Sequence, residues 1–135
     1  ISIEQARMLM RSLDTSHPVG LRDRAIVGIL IYTAARVGAI ANLRRCDFYD
    51  SGEQYCLRFH EKGGKSREIP VRHDLRLMIQ DYLRAGGLNQ ADKASPLFRT
   101  TRRRSRQLTD NPRTTRLYDR RQRKVTRNIV ERISI

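Results

Sequence analysis

Gln54-Tyr55-Cys56-Leu57-Arg58-Phe59-His60-Glu61-Lys62-Gly63-Gly64-Lys65-Ser66-Arg67-Glu68-Ile69-Pro70-Val71 is the stretch whose reading decides the fold. Tyr55, Leu57 and Phe59 fall on one side of an extended chain, and the residues between them fall on the other. That period of two is the signature of a half-buried strand. Glu61 to Lys65 carries two adjacent glycines and reads as a turn. Beyond it Ile69 and Val71 again alternate with polar neighbours. Two alternating runs joined by a short glycine-containing loop predict an antiparallel β-hairpin.

On either side of this hairpin the period is helical. Ser2 and Gln5 form a capping-box pair ahead of Ile3, Ala6, Met8, Leu9 and Leu13, which predicts a first helix. His17-Pro18-Val19-Gly20 is expected to break it. Residues 21–34 place Leu21, Ala25, Ile29 and Tyr32 at helical spacing, with an apolar face wide enough for a buried helix. Residues 36–44 read as a short helix through Val37, Ile40, Ala41 and Leu43. After the hairpin, residues 73–85 predict a helix through Leu75, Leu77, Met78, Ile79 and Leu83, ended by Gly86-Gly87. Residues 99–107 carry five arginines without apolar periodicity and read as a basic, mobile loop. A helical turn is expected near residues 113–118, and residues 125–135 place Val125, Ile129, Val130 and Ile133 at helical spacing. There is no internal repeat. The fold class expected is α+β, mainly α with a small antiparallel β-sheet.

Composition narrows the partner. The chain has 135 residues, enough for one domain with a modest core, and a formal net charge of +14. Such an excess repels itself unless a polyanion neutralises it, which points to nucleic acid. Arginine dominates the basic segments, and its planar fork of donors suits phosphate. Cys46 and Cys56 belong to no CxxC pair and have no histidine cluster near them, which argues against a zinc site. Both are expected as buried free thiols in a reducing cytoplasm. No signal peptide is visible, and the longest apolar stretch, residues 25–35, is too short to span a bilayer.

Four segments carry a resemblance. Thr33-Ala34-Ala35-Arg36-Val37-Gly38-Ala39-Ile40-Ala41-Asn42-Leu43, with Asp47 four residues on, resembles the first arginine motif of the tyrosine recombinases, the phage-integrase class. Glu61 to Val71 is similar to their hairpin lysine motif. Pro96-Leu97-Phe98 resembles the segment that follows, and Asn111-Pro112-Arg113-Thr114-Thr115-Arg116-Leu117-Tyr118 the segment ending at the nucleophilic tyrosine. The four occur in family order.

The resemblance implies site-specific DNA strand cleavage and rejoining through a covalent 3′-phosphotyrosine, without metal or cofactor, on double-stranded DNA. Tyr118 is then the nucleophile. Arg36 meets the negative charge that develops on the non-bridging phosphate oxygens. Lys62 supplies the proton that the 5′-oxygen leaving group needs, with Lys65 the alternative for that role. Lys65, Arg67, Arg99, Arg102, Arg103, Arg104, Arg113 and Arg116 are expected to contact DNA, largely its backbone. The family also implies a cytoplasmic, nucleoid-associated protein that assembles as a homo-oligomer on DNA through its C-terminal segment, residues 125–135.

The pattern is incomplete. The family carries an acidic residue three positions after the first arginine, and here that residue is Ala39. Its His-x-x-Arg box is missing, and Thr109 stands where a His or Trp is usual. All three histidines, His17, His60 and His73, precede Pro96. The chain therefore reads as one catalytic domain, residues 1–135, lacking a helical block near residues 107–111 and an N-terminal core-binding domain. Leu9, Ile29 and Leu43 are then expected to be under-buried. Three functions stay open: a recombinase, an inactive DNA-binding remnant of one, and a basic module of another class such as an RNA-binding protein. The third lacks support, since the sequence has no RNP-like aromatic strand, no KH loop and few aromatics for stacking.

Overall fold

The computed structural model describes residues 2–100 and residue 108. These residues form four α-helices and a three-stranded antiparallel sheet: α1 (Ile3–Arg11), α2 (Pro18–Thr33), α3 (Val37–Ala41), β1 (Phe48–Asp50), β2 (Tyr55–His60), β3 (Ser66–Pro70) and α4 (His73–Ala85). Short 3-10 turns occupy Arg45–Asp47 and Lys62–Gly64.

The capping box of α1 is present, with Gln5 N–H donating to Ser2 Oγ at 3.1 Å and Ser2 N–H to Gln5 Oε1 at 2.9 Å. The segment expected to break the helices instead starts α2. His17 is its N-cap, with Nδ1 accepting from Gly20 N–H at 3.1 Å, and Pro18 occupies the first turn, where its missing N–H costs nothing. Gly20 is buried so tightly that a Cβ built on it would sit 1.5 Å from the carbonyl oxygen of Asp14. The α2 helix is the centre of the molecule, with Ala25, Ile26, Val27 and Ile29 buried. It packs most extensively on α4, where Gly28 lets the helices approach: a Cβ there would meet Leu75 Cδ1 at 2.9 Å. Arg24 to Asp81, at 3.0 Å, ties the two helices at the edge of that contact.

In the sheet β2 lies between β1 and β3, with Phe48 opposite Leu57 and Phe59 opposite Arg67. Leu57 and Phe59 point into the core and are fully buried. The hairpin is as expected, but β1 adds a third strand. Its three residues are too few to display a period of two, and their extended form follows from pairing with β2.

One core joins α2, α3, α4 and the inner face of the sheet, and Leu88, Leu97 and Phe98 complete it. Leu9, Ile29 and Leu43 are 3%, 0% and 1% exposed, so the expectation that they are under-buried is corrected. Ile29 is covered within the core shared with α4, and at Leu43 the segment around Pro96 lies antiparallel to Arg44, with Leu97 N–H donating to Leu43 O at 2.8 Å, and closes the core from that side. Cys56 is buried as expected, whereas Cys46 is exposed because it sits in the 3-10 turn ahead of β1. No helix of the described residues is long and apolar enough to cross a membrane.

Candidate nucleic-acid interface

Arg36 is placed by a sharp reversal at the end of α2. Thr33 Oγ1 donates to Ile29 O at 2.7 Å and accepts from Ala35 N–H at 3.2 Å. Ala34 then takes a left-handed conformation (φ 54°), which costs a residue with a Cβ about 1–2 kcal/mol. The reversal buries Ala35 and turns Arg36 outward as the N-cap of α3. Among the described residues Arg36 has no ion-pair partner, in keeping with Ala39 one turn on in place of an acid.

Lys62 is placed by the turn between β2 and β3. Glu61 N–H donates to Lys65 O at 2.7 Å, and Gly63 and Gly64 supply the positive φ values, 81° and 75°, that close so short a loop. The turn projects over the α2–α3 junction. Between them lies an open groove of about 800 Å³ lined by Ala34, Arg36, Gly38, Ala39 and Asn42 on one side and by Phe59 to Lys62, Lys65 and Arg67 on the other. Four cations face one carboxylate, Glu61, which is itself bound to Arg67 at 3.2 Å. The guanidinium of Arg67 also lies 5.8 Å from the Phe59 ring centroid. A groove lined mainly by one sign of charge focuses field and concentrates an anion.

Four of the residues singled out from sequence, Arg36, Lys62, Lys65 and Arg67, thus meet in one groove. Arg99 does not join them. It is 9% exposed and lies in the interior, where its N–H donates to Tyr82 Oη at 2.9 Å and its carbonyl accepts from the buried Arg22 at 3.0 Å. Its reading as part of an exposed basic loop is therefore corrected: the loop reading ignored that Leu97 and Phe98 pull the chain inward. Tyr82 is fully buried as well, and its hydroxyl donates to Leu97 O at 2.9 Å. Burial pushes its phenol well above the usual tyrosine range, with the Arg99 N–H opposing. Tyr118, Arg102, Arg103, Arg104, Arg113 and Arg116 lie outside the described residues, as do the expected C-terminal helix and the junction near residues 107–111.

Three polar residues of the groove, Asn42, His60 and Glu61, were not singled out as site residues. His60, the last residue of β2, lines it beside Lys62, and its Nε2 lies 3.0 Å from Asp47 Oδ1. The alternation in β2 predicts that His60 points outward; nothing local in the sequence predicts that Asp47 waits there.

The phage integrase family model matches residues 1–135. The chain belongs to the phage integrase family. It is 35% identical over 102 residues to the tyrosine recombinase XerC of Pelobacter propionicus, covering 76% of this chain and 32% of that one. It is 31% identical over 83 residues to the tyrosine recombinase XerD of Listeria innocua, covering 62% and 27%. A crystal structure of XerA recombinase superposes with a TM-score of 0.58 at 25% identity over 92% of this chain and 41% of that one. A XerH site-specific recombinase, solved bound to palindromic difH substrate, shares the fold with a TM-score of 0.56 at 21% identity, over 70% of this chain and 27% of that one. The chain thus spans about a third of the length of its XerC and XerD relatives.

Proposed function

We propose that this member of the phage integrase family acts in site-specific recombination, cleaving and rejoining DNA strands through a covalent 3′-phosphotyrosine. The observation that carries the reading is the groove in which Arg36 and Lys62, distant in sequence, face one another with Lys65 and Arg67. A backbone phosphate is an anion of suitable size and charge for it. The Tyr118 oxygen attacks phosphorus and gives up its proton to solvent water; the bond from phosphorus to the 5′-oxygen breaks. Lys62 gives that oxygen a proton. Arg36 donates to a non-bridging oxygen, where negative charge grows in the transition state. Attack by a 5′-hydroxyl on the phosphotyrosine reverses the step and rejoins the strand. Further backbone contacts come from Arg102, Arg103, Arg104, Arg113 and Arg116, and oligomerisation on DNA from residues 125–135.

A second reading, a DNA-binding remnant that does not cut, is favoured by Ala39 beside Arg36 and by the missing His-x-x-Arg box between Pro96 and Tyr118. Losing groups that act as a unit leaves little activity. A nicked suicide duplex separates the two. A covalent protein–DNA species that disappears in Tyr118→Phe, with duplex binding retained, supports the recombinase. Binding without any adduct supports the remnant. An adduct that persists in Tyr118→Phe shows that Tyr118 is not the nucleophile.

A further inference from the structure

His60 lines the groove, is unused by the mechanism above and is held from behind by Asp47. Asp47 is anchored in the fold: its side chain is 1% exposed, and Oδ2 accepts from Arg44 N–H at 2.8 Å. Its other oxygen, Oδ1, faces His60 Nε2 at 3.0 Å. A carboxylate has no hydrogen to give, so Nε2 must carry it, which settles the tautomer and orients the ring. That leaves Nδ1 without a partner among the described residues, on a side chain that remains 54% exposed and lines the groove with Arg36 and Lys62. A strand end at the surface requires only some polar residue. A ring clamped by a buried carboxylate, with its second nitrogen open beside two cations, is more than that requirement.

We propose that His60 is a phosphate-binding residue of this groove: its ring, held through Nε2 by Asp47, donates Nδ1–H to a non-bridging oxygen of the DNA backbone. With an acceptor on each side, only the doubly protonated ring satisfies both, so binding takes up a proton. The inference rests on the DNA reading above. The charged groups facing the ring are Asp47 from the 3-10 turn before β1, Arg36 from the α2–α3 junction, Arg44 after α3, and Glu61, Lys62, Lys65 and Arg67 from the hairpin. Among these types, imidazole is the one whose ordinary titration falls between about pH 5 and 8.

The test is fluorescence anisotropy of the 135-residue chain on a labelled duplex, across a salt series at two pH values spanning that range, with His60→Gln and His60→Lys in parallel. The unmodified chain is expected to bind about three- to tenfold tighter at the lower pH, the scale of one net hydrogen bond whose charge assistance is screened by solvent at an open site. Its log–log salt slope should steepen there by about 0.9, one more phosphate neutralised. His60→Gln should lose that extra tightening and match the unmodified chain at the higher pH. His60→Lys, cationic at both values, should bind at the higher pH as the unmodified chain does at the lower. A pH effect that survives intact in His60→Gln overturns the proposal, and so does a salt slope indifferent to pH. Absence of duplex binding at any salt overturns the DNA reading, and this inference with it.

Discussion

Replacing Tyr82 by Phe removes one oxygen atom and tests whether the core is closed as described. The hydroxyl donates to Leu97 O and accepts from Arg99 N–H, both at 2.9 Å, and all three residues are buried. The ring itself should stay, since it stacks on Phe98 at 5.4 Å and leaves no cavity larger than the lost oxygen. The loss is therefore two stranded backbone groups. Each costs about 1–3 kcal/mol when left unsatisfied in the interior, so the variant should lose about 2–6 kcal/mol. Urea unfolding followed by circular dichroism measures this, with an unchanged m-value as the check that the same surface is exposed. Alkaline pH supplies a second readout. The folded-state pKa of Tyr82 is raised, so its proton is held more tightly folded than unfolded; that stability is complete below the ordinary tyrosine pKa of about 10 and falls as pH rises beyond it. The gap between the unmodified chain and Tyr82→Phe should then shrink by about 1.4 kcal/mol per pH unit above that point. A loss under about 1 kcal/mol at neutral pH, or a gap constant into alkaline pH, would refute the view that this hydroxyl holds residues 97–99 to α4.

Other perturbations bear on the scaffold and the groove. Gly20→Ala should cost at least about 2 kcal/mol, read as a lowered Tm, because the new Cβ collides with the backbone oxygen of Asp14 and only main-chain movement relieves it; an unchanged melt would mean that the α1–α2 connection is built differently. Arg36→Ala should lower strand cleavage by about 10²- to 10³-fold while changing duplex affinity only a few-fold; equal losses in both would make Arg36 a plain backbone contact. Duplex affinity of the chain should fall steeply with salt, with a slope of about −0.9 for each phosphate neutralised; a flat titration would be incompatible with binding through Arg36, Lys62, Lys65 and Arg67.

Much of this was legible from residues alone, and for definite reasons. The β2–β3 hairpin shows because half-buried strands alternate and glycines close its turn. The α4 limits show because an apolar stripe ends at Gly86. The segments around Arg36 and Lys62 carry the resemblance to the tyrosine recombinases, and the family model that matches residues 1–135 bears out the family. What failed was local pattern taken without its surroundings. The Pro18 segment looks like a breaker, yet a proline in the first turn of a helix, behind a capping His17, is a start.

The division follows from the range of the interactions. Periodicity, capping and turn chemistry act over a few residues, so the sequence by itself determined the hairpin, the fold class and most of the helices among the described residues, while the net charge of +14 sets only the expectation of a polyanion. Contacts between distant residues leave no such trace. Only the tertiary structure decided that Phe48–Asp50 becomes a strand, that Arg99 turns inward under Tyr82, and that Arg36 and Lys62 share a groove. It alone brought Asp47 against His60, because a buried carboxylate chooses its partner by where packing leaves the two side chains, not by their spacing along the chain.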